Sequence, residues 1–266
     1  MPGLYIIKLG GSVITEKEGN RFEVKEEEIA RIATEVKKAM DEEGFQLIVV
    51  HGAGPFGHTN VKEFGIENGV YSERHKQGLE KTIKDCNYLD SVVVEKLREQ
   101  GIEAVAFNPW ELIEARERKI VRFEITGIEK ALGEGKVPVL YGQMVKDEAV
   151  NASPLSGDSI IAFLTKKLKP EKVLLGTDVA GIFTADPKRV KEAKRIELVD
   201  ENNFEEILEK VEESAAVDVT GGMKGKLMKL REQLKGTTAL IFDAKEKGNF
   251  YRALKGEKVE GTTIRL

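Results

Sequence analysis

Five short stretches of this chain gather glycine with lysine, histidine, serine or aspartate, the residue types that hold and transfer phosphate groups. The first is Lys8-Leu9-Gly10-Gly11-Ser12. Adjacent glycines let backbone N–H groups approach an anion closely, and Lys8 adds a positive charge beside them. The lysine precedes the glycines, so this is not a Walker A loop, and an ordinary turn would use the same Gly-Gly pair. The second is His51-Gly52-Ala53-Gly54-Pro55-Phe56-Gly57-His58. A glycine-rich strand end that opens a helix is an anion cradle, and histidine adds a hydrogen-bond donor. His51 taken singly could equally be a satisfied structural histidine. The third, Ser156-Gly157-Asp158, starts a helix. Asp158 could hold lysines in place, although an acid in a first turn also suits the helix dipole. The fourth runs from Gly176 to Pro187 and crowds Thr177, Asp178, Thr184 and Asp186 around a turn at Gly181. The fifth, Asp218 to Lys226, places Gly221, Gly222, Lys224 and Lys226 at a helix start. Glycines with lysines there suit a phosphate, and a solvated basic helix end would look similar.

The elements that must position these stretches are strands. Apolar runs rich in Val, Ile and Leu occur at 4–9, 45–50, 102–107, 137–141, 172–177 and 238–244. Such runs predict buried strands of a parallel sheet, and ligands bind at the carboxyl ends of such strands. Helical spacing joins Ile29, Ile32, Ala33, Val36 and Met40; then Leu79, Ile83, Cys86, Val93 and Leu97; then Phe204, Ile207, Leu208 and Val211; and finally Leu227, Leu230 and Leu234. Strands alternating with helices predict an α/β fold with right-handed crossovers. One domain spanning 1–266 is expected, with two lobes divided near residue 150, where YGQMVKDEAVN reads as loop.

The bulk numbers narrow the function classes. The chain has 266 residues, 41% of them hydrophobic and 33% charged, as in a globular protein with a sizeable core. No apolar run approaches the ~18–20 residues of a membrane helix, and the start lacks the layout of a secretory signal. A net charge of −4 argues against a nucleic-acid partner. The single cysteine, Cys86, excludes an internal disulfide framework and a cysteine-rich zinc site. A cytoplasmic location is the expectation.

The five motifs fall in one order: KLGGS, HGAGPFGH, SGDSI, TDVAGIFTADP and DVTGGMKGK. That order resembles the amino acid kinase family, which includes acetylglutamate, uridylate, carbamate and glutamate kinases. Within it, His58 closing the glycine loop and Lys17 in VITEK are similar to the isopentenyl phosphate kinases. The resemblance implies a three-layer α-β-α sandwich with a mainly parallel central sheet, the acceptor in residues 1–150 and the nucleotide in 151–266. It also implies ATP with Mg²⁺, no metal ligand from the protein, a homodimer, and a small-molecule phosphate acceptor on the route to isoprenoid precursors.

Carried over residue by residue, the resemblance gives catalytic roles to Lys8, Lys17, His58, Asp158 and Lys226. Lys8 would bridge the two phosphates, Lys17 and Lys226 would stabilise the transferring group and leaving phosphate, and Asp158 would orient lysines. Gly10, Gly11, Ser12, Ala53, Gly54, Gly57, His58 and Gly142 would bind the acceptor. Lys8, Gly11, Thr177, Asp178, Gly181, Phe183, Asp186, Gly222 and Lys226 would bind the nucleotide. This chain departs from the family pattern at Pro55, Gln143 and Ala180. No general base stands out, which favours a phosphate or carboxylate acceptor over a hydroxyl. A fosfomycin-kinase-like or uridylate-kinase-like enzyme, or a non-catalytic nucleotide-binding protein of the same fold, would share most of these features. An apolar acceptor tail would need a pocket beyond the glycine loop, for which the helix 79–97 is a candidate wall.

Overall fold

The structure, a computed structural model, describes residues 2–18, 21–184, 190, 192–215, 228, 231, 234 and 236–266. Its centre is an eight-stranded sheet. The strands that carry the site are β1 (Leu4–Leu9), β4 (Gln46–His51), β8 (Val137–Tyr141) and β11 (Lys172–Thr177). β1 lies between β11 and β4, parallel to both, and β8 runs parallel beyond β4. β5 (Ala104–Ala106) closes one edge, parallel to β8. On the other side come β15 (Thr238–Asp243), β16 (Gly261–Arg265) and β14 (Leu198–Asp200). β15 is parallel to β11, whereas β16 turns back antiparallel to it and β14 follows β16. The sheet is therefore mainly parallel, as the buried apolar runs predicted.

Both faces are covered, because alternate residues of each strand point to opposite sides. Tyr5, Ile7 and Leu9 of β1 pack with helix α2 (Glu26–Glu43), helix α4 (Glu73–Glu99) and helix α9 (Asn249–Lys255). Ile6 faces the other layer, with helix α6 (Thr126–Gly133), helix α7 (Gly157–Leu168) and Phe204 of helix α8 (Phe204–Ala215). The outcome is an α-β-α sandwich. On the second face lies a smaller sheet of β10 (Asn151–Leu155), β9 (Gln143–Asp147), β6 (Ile113–Arg116) and β7 (Lys119–Phe123).

Residues 141–151, read from sequence as loop, are mostly strand: β9 pairs antiparallel with β10. The reason is that β9 buries Gln143 and Asp147 as well as Met144 and Val145, so it lacks an apolar signature. Asp147 accepts from the N–H groups of Glu117, Arg118 and Ala149 and from the Ser153 hydroxyl. Burial works against its charge, yet those donors together hold the carboxyl below the usual carboxylate range. The helix start predicted at 218–226, with Leu227 and Leu230, lies outside the described residues.

Candidate active site

The strand ends converge as the parallel topology requires. β1 runs into Gly10–Gly11 and the short helix α1 (Gly11–Ile14), and β4 runs into helix α3 (Gly54–Phe64) through Gly52 and Ala53. The two glycine turns touch backbone to backbone. A Cβ on Gly11 would sit 2.6 Å from Gly54 N and 2.8 Å from its Cα, and one on Gly52 would sit 2.7 Å from Gly11 N. Gly52 N–H donates to Leu9 O at 2.9 Å, and Gly10 N–H donates to Gly176 O at 2.9 Å. So these glycines are needed for a second reason that the sequence did not reveal: two loops must meet where no side chain fits.

Around them lies a cavity of about 960 Å³. Lys8, Gly11, Ser12, Lys17, Ala53, Gly54, Gly57, His58, Gly142 and Asp158 all border it. Gly10 lies beside the cavity, sealed against the Gly176 carbonyl. Lys8 Nζ donates to Asp158 Oδ1 at 2.5 Å, joining residues 150 apart in sequence. Asp158 stands in the first turn of α7, capped separately by Ser156, whose hydroxyl accepts from Ser159 N–H at 3.1 Å. The capping role therefore falls to Ser156, leaving the Asp158 carboxylate for the lysine. Lys17 extends from the β2–β3 hairpin (Thr15–Glu18 and Arg21–Val24) and is exposed. His58 is exposed on the first two turns of α3. Gly57 is required there, since a Cβ would lie 2.6 Å from that of Ala53.

Thr177 ends β11 and Asp178, Gly181 and Phe183 follow it, and none of the four borders the cavity. The Thr177 hydroxyl is engaged with the Val179 carbonyl at 2.8 Å. Gly181, at φ +115°, passes so close to β16 that a Cβ would meet Thr262 N at 2.8 Å. Phe183 belongs to the two-residue strand β12 (Ile182–Phe183), paired with β13 (Arg195–Ile196). Asp186, Gly222 and Lys226 lie outside the described residues.

Beyond the glycine loop the wall changes character. Val61, Thr82, Met144, Pro154 and Leu155 border the cavity. Behind Val61 and Met144 an apolar cluster continues with Ile66, Val70 and Ala152, flanked by Leu79, Ile83 and Trp110. From helix 79–97, Thr82 reaches the cavity, whereas Leu89, Val93 and Leu97 are core. These lining residues were not named from sequence. The available signal was the spacing of Val61, four residues after Gly57 on the same face of α3. Cys86 sits behind the loop, its thiol pushed up to about 12 by burial and then by Asp85. Burial and neighbouring Asp90 also raise Tyr141, whose phenol donates to Asn87 Oδ1 at 2.7 Å. Gln143, where the family pattern often has an acid, donates to Asn108 Oδ1 at 2.7 Å, and its Oε1 is buried without a partner.

Among the described residues no cluster of three or more His, Cys, Asp or Glu side chains could cage a metal. No helix among them is long and apolar enough to cross a membrane. A mainly parallel sheet that brings glycine turns and a paired lysine to its carboxyl edge is the arrangement of an ATP-dependent α/β kinase. The amino acid kinase family matches residues 3–243, and the chain belongs to that family. Among its relatives, the isopentenyl phosphate kinase of Methanothermobacter thermautotrophicus is 37% identical over 268 residues, with 98% of each chain covered. That of Methanocaldococcus jannaschii is 32% identical, again with 98% of each covered. A solved isopentenyl phosphate kinase structure superposes with a TM-score of 0.85 at 35% identity, covering 98% of this chain and 100% of the other.

Proposed function

We propose that this protein transfers the γ-phosphoryl group of ATP to isopentenyl phosphate, forming isopentenyl diphosphate for isoprenoid synthesis by a mevalonate-type route. The observation that carries the reading is one cavity with both kinds of wall: Lys8, His58 and the glycine-loop residues border it, and so do the apolar Val61, Met144 and Leu155. A phosphate ester with a short apolar tail matches that mixture.

In the reaction an acceptor phosphate oxygen forms a new bond to the γ-phosphorus, and the bond to the β-phosphate oxygen breaks with its electron pair leaving on ADP. The acceptor loses its second proton near pH 6, so at pH 7 it is largely a ready nucleophile. The main obstacle is repulsion between two polyanions, and the protein's part is to position them and neutralise charge. Lys8, fixed by Asp158, would lie between donor and acceptor. Lys17 and Lys226 would offset charge on the transferring group and the leaving phosphate. Gly10, Gly11 and Ser12 would offer N–H donors to the moving group, and Ala53, Gly54, Gly57, Gly142 and His58 would hold the acceptor. Thr177, Asp178, Gly181, Phe183, Asp186 and Gly222 are assigned to the nucleotide. A Mg²⁺ brought with ATP would supply further charge neutralisation, and Asp158, which borders the cavity and holds Lys8, would be a carboxylate suited to its outer shell. We further infer a single domain with an acceptor lobe at 1–150 and a nucleotide lobe at 151–266, acting as a cytoplasmic homodimer.

The test is ADP release from ATP and Mg²⁺ with isopentenyl phosphate, run beside dimethylallyl phosphate, fosfomycin, UMP, acetylglutamate and no acceptor. Turnover confined to the prenyl phosphates is expected. Turnover on another acceptor instead would move the assignment to a sibling kinase.

A further inference from the structure

His51 takes no part in the roles above, yet it is fully buried at the end of β4 and adjoins the glycine loop. Its ring stacks on Tyr141, with centroids 5.2 Å apart and planes 10° from parallel. Nε2 lies 3.1 Å from Oδ1 of buried Asp90 on α4. Nδ1 lies 3.2 Å from the Gly52 carbonyl oxygen. A carbonyl only accepts, so that contact requires the proton on Nδ1.

The Gly52 carbonyl is the first one beyond the strand. Its neighbour, the His51 carbonyl, is taken by Gly142 N–H at 3.0 Å. In a planar trans peptide the C=O of Gly52 and the N–H of Ala53 point in opposite directions, and no described peptide is cis. Tying the carbonyl to the buried imidazole therefore turns the Ala53 N–H away from that ring, and Ala53 borders the cavity. Among the described residues nothing accepts that N–H. Gly52 has no side chain to resist a flip of this peptide. A flipped peptide would present a carbonyl oxygen where an anion needs a donor.

We propose that His51 is a positioning residue: held by Asp90, its Nδ1–H locks the Gly52–Ala53 peptide so that the Ala53 N–H faces the acceptor phosphate. This rests on the reading that the cavity takes a phosphate-bearing acceptor. Two amide variants separate the contacts, because an Asn side chain places its nitrogen near Nδ1 and a Gln near Nε2. His51→Asn should keep the acceptor KM close to that of the unmodified protein. His51→Gln should raise it about tenfold or more, the scale of one lost hydrogen bond to a charged group, with the KM for ATP unchanged. Backbone amide NMR adds a readout independent of turnover: inorganic phosphate should shift the Ala53 amide in the unmodified protein and in His51→Asn, but not in His51→Gln. A measurement without any mutation is the imidazole ¹⁵N spectrum, which should show Nδ1 of His51 protonated. Unprotonated Nδ1 overturns the proposal, as does an unaltered acceptor KM in His51→Gln, or equal losses in both variants. If no prenyl phosphate is turned over, the functional reading fails, while the phosphate titration and the ¹⁵N spectrum still decide the role of His51.

Discussion

Replacing Gly11 by alanine tests whether the contact between the two glycine loops sets the geometry of transfer. The added Cβ would lie 2.6 Å from Gly54 N and 2.8 Å from Gly54 Cα, where ordinary contact begins at 3.4 Å. Both opposing atoms are backbone, so no side chain can swing aside, and the loops must part by about 0.8 Å, the difference between those distances. Reacting atoms are held roughly 3–3.5 Å apart for transfer, and a displacement near 1 Å costs on the order of 10²-fold in rate. We therefore expect kcat to fall by about 30- to 100-fold. Overpacking of this kind costs about 1–3 kcal/mol. For a chain of this size that lowers the melting temperature by roughly 2–12 °C. Gly133→Ala is the control, since nothing lies within 4 Å of a Cβ there. Steady-state kinetics with saturating ATP and thermal melting of both variants make the comparison. If Gly11→Ala keeps kcat within about threefold, well inside the loss expected for such a displacement, the reasoning is wrong.

Other perturbations follow from the same geometry. Lys8→Met removes the cation held by Asp158 and should lower kcat by about 10²- to 10³-fold, as loss of a preorganised charge-stabilising donor does; a point charge on a flexible stem differs from a planar guanidinium, so Lys8→Arg should not restore the rate. His58→Ala should raise the acceptor KM by about tenfold or more while the KM for ATP stays unchanged, read from initial rates with either substrate varied. Asp147→Ala leaves three backbone N–H groups and a hydroxyl without their acceptor and should cost about 2–3 kcal/mol, measured by urea unfolding at pH 7. Because the folded carboxyl of Asp147 titrates below its unfolded value of roughly 3.9, its contribution is present above that pH and lost as pH falls through the folded pKa. Melting curves should thus show a steeper acid loss in the unmodified protein than in Asp147→Ala.

What was legible in the sequence tracks where the forces are local. β1, β8 and β11 carry continuous apolar runs, and their observed bounds, Leu4–Leu9, Val137–Tyr141 and Lys172–Thr177, match the reading. A run buried on both faces announces itself without reference to its partners. The hairpins did not. Thr15–Glu18 is almost wholly polar, and β9 buries Gln143 and Asp147, whose partners are Asn108 and the Arg118 region. Those partners are distant in sequence, so no window of the chain could show that these polar side chains would be satisfied inside. The candidate site divides in the same way. Glycine next to lysine was readable as an anion site, but the mutual contact of Gly11 with Gly54, and the burial of His51 against Asp90, exist only once β1, β4 and α4 are packed. The apolar wall of Val61 and Met144 was equally hidden, because a stripe that lines a cavity and one that fills a core have the same spacing.

The pairing of Lys8 with Asp158 also bears on what the acceptor must be. A hydroxyl acceptor would need a base, and Asp158 is a carboxylate in the cavity wall. If it took a proton it would lose its hold on Lys8 just as two phosphates approach, when that cation is most needed. A group that arrives already ionised avoids the conflict. The acid limb of kcat/KM for the acceptor should then belong to the acceptor, falling below about pH 6 as its second proton returns. Exchanging the phosphate ester for the matching phosphonate, whose second ionisation lies higher, should carry that limb upward by the same interval. His58→Gln should leave the limb in place while weakening binding. A limb that ignores the acceptor's ionisation and disappears in His58→Gln would show that the protein supplies the titrating group, and the base-free mechanism would have to be abandoned.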